Sequence, residues 1–209
     1  MMDDVNHQQD PELIAQLEDK MAVYKYLFTQ YNLRAGLKRF GQPGVDAAKN
    51  KLTQLHVVDT LIPEDPCKLS RIEKTKALSS LMFLKEKQNG KVKGRARVNG
   101  APQRAYIQKE DATSPTVANK STFIRLMIAA HEKRYIRYYD VPGAFLHTES
   151  DKNVLMILKG ELADMMVRIA LQIYWPYVTT DKKRTPILYV YIRKALYGLL
   201  RSSLLFYRN

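Results

Sequence analysis

Apolar residues recur at helical spacing in the first sixty positions. Asp10 and Pro11 form an N-cap followed by a proline of the first turn. The apolar positions behind them are Leu13, Leu17, Met21, Tyr24 and Phe28. This pattern predicts a helix that ends near "FGQPG" at residues 40–44, where two glycines and a proline follow one another. A second helix is predicted from Val45 to about Leu55, with Ala48, Leu52 and Leu55 on one face.

A β-hairpin is the clearest local signal in the chain. The segments "LMFLKEK" and "KVKGRARV" flank "QNG" at residues 88–90, and Asn-Gly favours a tight hairpin turn. Just before the hairpin, residues 60–69 contain two prolines and predict a loop. Ser70 and Glu73 then have the spacing of a capping box, which predicts a short helix.

The rest of the chain mixes helices and strands without regular alternation. Residues 99–118 predict a loop, and residues 120–131 a helix that buries Phe123, Met127 and Ala130. "RYIRYYDV" predicts a strand that ends at Asp140. The remaining predictions are a strand in "NVLMILKG", a helix in "ELADMMVRIA", a strand in "PILYVYIRKALYG" and a helix start in "LLRSSLLFYRN". This order predicts the α+β class.

Positive charge is concentrated in two regions of the chain. The net charge is +13, yet residues 1–20 carry six acids and one lysine. Residues 91–140 carry eleven lysines and arginines against four acids, and residues 181–209 carry seven against one. Clustered positive charge is typical of a protein that binds a polyanion, and it also occurs on solvated basic surfaces.

Several protein classes find no support in the sequence. Cys67 is the only cysteine, so a disulfide framework is excluded and a reducing, intracellular compartment is expected. No apolar window has transmembrane length, and the acidic start does not resemble a signal peptide. Motifs for P-loops, zinc proteases, C-x-x-C sites and G-x-S-x-G hydrolases are also missing from the sequence.

The second strand of the predicted hairpin carries four cations in strict alternation. Lys91, Lys93, Arg95 and Arg97 share one face, with small residues between them. One interpretation is a sheet edge that charge protects against aggregation. The other is a strand that binds phosphate groups.

Asp140 also allows two interpretations. A carboxylate at the end of a strand can cap the turn that follows, here "VPGAFLHTE". Beside a basic strand it can also bind Mg²⁺ for phosphoryl chemistry, because Mg²⁺ prefers carboxylate and phosphate oxygens.

Five ordered motifs over residues 46–209 resemble the reverse transcriptase of copia-type LTR retrotransposons. They are "KNKLTQLHVVDTLIP", "KVKGRARVNG", "SPTV" with "FIRLMIAA", "YDVPGAFLHTE" and "IRKALYGLL". The last two are similar to the family patterns D-V-K-x-A-F-L-x-G and L-x-K-A-L-Y-G-L-K. The resemblance implies polymerase fingers and the first part of a palm, preceded by a helical N-terminal extension over residues 1–45.

The resemblance also implies roles for individual residues. Asp140 corresponds to the first catalytic, metal-binding carboxylate, and the carbonyl of Val141 to a ligand of the same Mg²⁺ ion. Phe145 corresponds to the ring that senses the sugar 2′ position, and Tyr197 and Gly198 to the turn of the nucleotide site. Further expected contacts to nucleotide phosphates or nucleic acid come from Lys91, Lys93, Arg95, Arg97 and Arg201.

The implied reaction is template-directed nucleotidyl transfer by an RNA-directed DNA polymerase. Its partners are an RNA template, a DNA primer, deoxynucleoside triphosphates and the rest of the retrotransposon polyprotein, without a membrane. The parent element would act in a cytoplasmic particle or in the nucleus. The family's Y-x-D-D pair is missing, and the only adjacent aspartates are Asp3 and Asp4. We therefore expect a chain truncated before the catalytic hairpin and inactive as given, or a non-catalytic nucleic-acid-binding remnant. In such a chain the strand from Ile187 to Ile192 is expected to lack a neighbour.

Overall fold

The computed structural model describes residues 29–209, apart from the side chains of Asp151 and Lys152. Contacts along the chain divide these residues into two units. One consists of residues 29–48 and 82–95, and the other of residues 49–81 and 96–209. The helix predicted from Pro11 falls largely on residues 1–28 and to that extent lies outside the described residues.

The first unit begins with a short strand and a helix. These are β1 (Tyr31–Asn32) and α1 (Leu33–Phe40). The Asn32 side chain accepts a hydrogen bond from the Ala35 N–H at 2.9 Å and so starts α1. The prediction of one unbroken helix through this region is therefore wrong. Its predicted end is confirmed, because α1 stops at Gly41 with φ +56°.

The helix predicted from Val45 is confirmed and is somewhat longer, since α2 spans Gln42–Val57. Its Ala48, Leu52 and Leu55 are almost completely buried, as the spacing of these residues predicts. The helix predicted after Ser70 is α3 (Arg71–Lys76), and both hydrogen bonds of its capping box are present.

The predicted hairpin is confirmed. It consists of β3 (Leu78–Glu86) and β4 (Val92–Val98), which pair with each other. At its turn the Lys87 N–H donates to the Lys91 carbonyl at 2.9 Å, and Gly90 has φ +73°. In the first unit, Tyr31 of β1 also lies opposite Leu84 of β3 in an antiparallel pair.

In the second unit, β7 (Pro186–Lys194) has strands on both edges. β5 (Glu149–Lys159) pairs with it antiparallel along one edge. β2 (Leu61–Pro63) and β6 (Val178–Thr180) pair with the other edge, antiparallel and at opposite ends of β7. The first residues of β3 run parallel to β5, with Leu78 beside Met156.

Two sequence predictions fail around β7. The strand from Ile187 to Ile192 was expected to lack a neighbour, and it has one on each edge. The proline-rich residues 60–69 were expected to form a loop, but Leu61–Pro63 pair with β7. Pro63 is tolerated because it is the last residue of a short strand at the edge.

A bulge interrupts the pairing of β5 with β7. Glu149 lies opposite Lys194, and Val154 opposite Ile192. Between these two pairs, the chain advances by five residues in β5 but by only two in β7. The extra residues stand outside the regular ladder.

Four helices complete the second unit, and the predicted α+β class is confirmed. They are α4 (Asn119–His131), α5 (Glu161–Ile169), α6 (Leu171–Tyr174) and α7 (Ser202–Arg208). In α5 the apolar side is buried. In α4 the predicted burial of Phe123, Met127 and Ala130 is wrong, since no residue of this helix is buried.

The buried Tyr174 connects two helices of the second unit. Its hydroxyl lies 3.0 Å from Nδ1 of His56 in α2, and the two rings meet edge to face. Burial, with a smaller contribution from Asp59, raises the pKa of Tyr174 to about 12. Burial raises the pKa of Tyr189 too.

The Tyr174 phenol makes stability depend on alkaline pH. In the unfolded chain it ionises near its ordinary pKa of 10.0, while the folded chain keeps its proton until about pH 12. The unfolded state therefore binds fewer protons in this window, and the free energy of unfolding falls as pH rises. Tyr174→Phe should make this fall shallower in urea unfolding measured at a series of pH values.

Tyr207→Phe is the control, because that ring is exposed. It should leave the slope unchanged. Some fall is expected to persist in Tyr174→Phe, since the pKa of Tyr189 is raised as well. A slope in Tyr174→Phe equal to that of the parent chain would show that this phenol ionises alike in both states.

Candidate functional site

The alternation is confirmed for the three cations that lie within β4, while Lys91 directly precedes the strand. Gly94, Ala96 and Val98 are buried, and Lys93, Arg95 and Arg97 occupy the alternate positions of the strand. Lys91, Lys93 and Arg97 are exposed, and Arg95 is half-buried. The buried face fixes the register of the strand, so the cations keep a spacing of two residues.

The hairpin also forms a basic concavity in the first unit. It has a volume of about 520 Å³, and its charged lining consists of Lys85, Lys87, Lys93, Arg95 and Glu86. Four cations face one carboxylate, so the local potential favours anions. Lys85 and Lys87 belong to the strand end and the turn, and the cation row of β4 alone did not reveal them.

In the second unit, Gly198 lies directly against the end of β4. A Cβ atom on Gly198 would stand 1.9 Å from the Val98 carbonyl oxygen, and its φ of +100° also favours glycine. The Val98 N–H donates a hydrogen bond to the Tyr197 carbonyl at 2.8 Å. Across the same contact, a Cβ on Gly100 would meet the Gly198 carbonyl oxygen at 2.0 Å. Two of the sequence-predicted motifs therefore meet backbone to backbone.

Phe145 belongs to an aromatic cluster beside this contact. Its ring centroid lies 4.5 Å from that of Tyr197 and 5.9 Å from that of Phe206 in α7. Phe145 is half-buried in a 3₁₀ turn (Ala144–His147) whose Leu146 is fully buried. Gly143 starts this turn with φ +65°. The structure thus brings together Phe145, Tyr197 and Gly198.

The end of the chain packs on this cluster. Leu199 and Leu204 are buried, and the Ser202 hydroxyl donates to the Leu196 carbonyl at 2.7 Å. The sequence predicted a helix start here, and α7 confirms it.

Asp140 is placed differently from the prediction. The expected strand is absent, since residues 132–141 have no regular secondary structure and pair with no strand of the described chain. Tyrosine and isoleucine stabilise a strand only where a neighbouring strand pairs with it. In addition, Pro142 has no N–H that could donate to a β-ladder. Asp140 and Val141 are both exposed.

The expected Mg²⁺ ligands Asp140 and Val141 adjoin each other in the chain. Asp140 offers one carboxylate, and the Val141 carbonyl already accepts a hydrogen bond from the Ala144 N–H at 3.1 Å. Among residues 29–209, no three His, Cys, Asp or Glu side chains are grouped so that they could hold a metal ion. Mg²⁺ is usually held by one or two carboxylates together with waters and substrate phosphates, so these two groups would leave most of its six positions to other ligands.

Gln103 is a connecting residue that the sequence did not reveal. It is buried in the 3₁₀ turn Ala101–Ala105, and its Oε1 accepts a hydrogen bond from the Leu200 N–H at 3.0 Å. Glutamine in a Gly/Pro-rich loop carries no sequence signal for such a contact. Gln103 and Arg201 both line a cavity of about 450 Å³ whose other polar residues include Glu73 and Lys76.

Fold and site together define a mixed α+β protein with a basic hairpin. The chain matches no protein-family model, no curated protein and no solved structure. Within the part of the chain that the structure describes, no helix combines the length and the apolar character needed to cross a membrane.

The contact of Gly198 with Val98 gives a direct test of the site. Gly198→Ala should destabilise the fold more than Gly90→Ala, although both glycines have positive φ. At Gly90 nothing lies within 4 Å of an added Cβ, so only backbone strain of about 1 kcal/mol is expected. At Gly198 the added methyl also displaces the end of β4, for about 1–3 kcal/mol more.

Urea unfolding of both variants measures the difference. Equal losses of unfolding free energy would contradict the close approach of Val98 and Gly198.

Proposed function

We propose that the chain carries the fingers and the first part of the palm of a copia-type RNA-directed DNA polymerase. The observation that supports the proposal most is the backbone contact between Gly198 and Val98. It joins the two segments "KVKGRARVNG" and "IRKALYGLL" that carry much of the resemblance. These motifs are about a hundred residues apart in sequence, and a nucleotide site of this kind needs them close together.

Each site residue has a role in this proposal. The Phe145 ring senses the sugar, and Tyr197 and Gly198 line the base and sugar end of the nucleotide site. Arg97 directly precedes Val98 and contacts phosphates. In the first unit, Lys93 and Arg95 are proposed to bind phosphate groups. Arg201 contacts the nucleic acid. The partners are an RNA template, a DNA primer, deoxynucleoside triphosphates and the rest of the polyprotein.

In the parent reaction, a primer 3′-OH attacks the α-phosphate of a deoxynucleotide. Asp140 and Val141 are proposed as ligands of one Mg²⁺ ion in the complete enzyme. The sequence has no Y-x-D-D pair. The contribution that we propose for this chain is to bind and position phosphates, sugar and base.

A non-catalytic nucleic-acid-binding protein is the second candidate. The basic concavity of the hairpin favours it, because four cations facing one acid suit any phosphate backbone. The exposed position of Asp140 outside a strand favours it too. The two candidates differ in whether the chain distinguishes nucleotides by their sugar.

Nucleotide binding tests the polymerase proposal. The chain should bind dTTP and dUTP more tightly than UTP, because the Phe145 ring occupies the space that a 2′-hydroxyl needs. dUTP differs from UTP only in this hydroxyl, so it separates the effect of the sugar from that of the 5-methyl group of dTTP. Phe145→Val should raise UTP affinity and leave dTTP affinity nearly unchanged. Competition against a fluorescent deoxynucleotide measures both affinities.

Phe123→Val is the matched control, because that phenylalanine is exposed on α4. It should leave the preference for dTTP intact. Circular dichroism and urea unfolding show whether Phe145→Val remains folded. A folded parent chain that binds dTTP and UTP equally would exclude the sugar-sensing role and leave the second candidate.

The cation row of β4 predicts sequence-independent binding to nucleic acid. Replacing Lys91, Lys93 and Arg95 with Gln should weaken duplex binding evenly across sequences. The slope of log K against log salt should become shallower by about 0.9 for each lost phosphate contact. Fluorescence anisotropy at several salt concentrations measures the slope.

Replacing Lys182, Lys183 and Arg184 with Gln provides a control of equal charge. These residues are exposed in the turn before β7. If both triple variants change the slope equally, only net charge matters and the cation row has no special role.

A further inference from the structure

Three tyrosines between α4 and the Phe145 turn are unusually exposed. Tyr135, Tyr138 and Tyr139 are 98%, 92% and 82% exposed, the highest values among large apolar and aromatic side chains of the described residues. A tyrosine ring normally buries 150–250 Å² in a core or interface, so three rings in solvent within five positions are uncommon. Exposed clusters of this kind mark binding surfaces.

The segment that bears these rings leaves α4 in a defined direction and leads into an anchored turn. At the end of α4, Lys133 adopts φ +54°, and the Arg134 N–H donates to the Ala129 carbonyl at 2.8 Å. This hydrogen bond closes the helix and sets the direction in which the chain leaves it. Beyond the tyrosines, the buried Leu146 anchors the turn that follows Pro142.

Cations alternate with the rings along the same segment. Lys133 precedes Tyr135, and Arg137 stands between Tyr135 and Tyr138. Arg134 forms a salt bridge with Glu132, so this acid is already engaged by a cation of the segment. Asp140 follows Tyr139 and is exposed, so beside this ion pair Lys133 and Arg137 stand against one carboxylate. The segment therefore offers aromatic faces and a net positive charge side by side.

Single-stranded nucleic acid has the matching chemistry. Its unpaired bases expose flat faces that stack on aromatic rings, while its phosphates are attracted to lysine and arginine. A duplex keeps its base faces stacked inside the helix, so the same rings cannot reach them. The ligand that uses both features of the segment is an unpaired strand.

We propose that Tyr135, Tyr138 and Tyr139 form a stacking surface for single-stranded nucleic acid, with Lys133 and Arg137 contacting its phosphates. This inference goes beyond the proposed function, because none of these five residues belongs to the nucleotide site or the cation row. It requires no metal ion and no catalytic step.

The test compares single-stranded and duplex binding of the full chain by fluorescence anisotropy, with 15-nucleotide oligo(dT), oligo(U) and a duplex of equal length. Each single Tyr→Ala variant should weaken single-strand binding about tenfold. Duplex binding should stay unchanged. The three Tyr→Phe variants should bind like the parent chain, because phenylalanine keeps the stacking face.

The salt dependence of single-strand binding distinguishes the contribution of charge from that of stacking. Tyr→Ala variants should keep the salt slope of the parent chain, whereas Lys133→Gln with Arg137→Gln should reduce it by about 0.7 per lost phosphate contact on a single strand. Trp175→Ala is the matched control, because that ring is 64% exposed and lies outside the segment. It should leave single-strand binding unchanged.

Three outcomes would overturn the proposal. One is unchanged single-strand affinity in the Tyr→Ala variants, and another is an equal loss on duplex. The third is a loss in the Tyr→Phe variants as large as in the alanine variants, which would assign the effect to the hydroxyl groups. Comparing oligo(dT) with oligo(U) shows whether the bound strand is DNA or RNA. The dTTP preference is measured separately and does not depend on these results.

Discussion

Hydrogen bonding on both edges of β7 is the constraint on which the second unit depends. β5 occupies one edge, and β2 and β6 share the other. Within the strand, Leu188, Val190 and Ile192 are almost completely buried. A strand enclosed in this way tolerates neither a charge on its buried face nor a shift of register, because a shift by one residue would exchange its two faces.

The position of the candidate site follows from this strand. β7 leads directly into Ala195, whose N–H donates to the Thr148 carbonyl at 2.8 Å. That hydrogen bond connects the chain before Tyr197 to the end of the Phe145 turn. The Gly198 backbone can then lie against Val98 because it has no side chain. A glycine in this place is thus required by packing, and any chemical role of the turn rests on that packing.

Local signals in the sequence predicted local structure well. The Asn-Gly hairpin, the Ser70 capping box and the buried face of α2 are all confirmed, because each depends on residues near one another in the chain. The predictions of a buried face on α4 and of a strand before Asp140 were wrong for the opposite reason, because both depend on residues that are distant in the chain. Periodicity and β-propensity describe what a segment could pack against, and only the rest of the fold decides whether that neighbour exists.

The candidate site was likewise predicted only in part. Motif resemblance identified Phe145, Tyr197 and Gly198, and the structure brings them together. Gln103 was missed, because a buried amide that accepts one backbone N–H leaves no pattern in the sequence. The β-propensity of the preceding residues led us to expect Asp140 at a strand end, a position that a neighbouring strand would have to create.

Because of the bulge in β5, the number of residues in this region can differ without a change in the geometry of the core. The ladder resumes at Val154 opposite Ile192, and the extra residues before it stand outside the pairing. Residues can therefore be added or lost between Glu149 and Val154 over evolutionary time without moving a single core contact of β7. In an alignment of related chains, gaps would collect at this point, while the spacing from Val154 to Lys159 would stay constant.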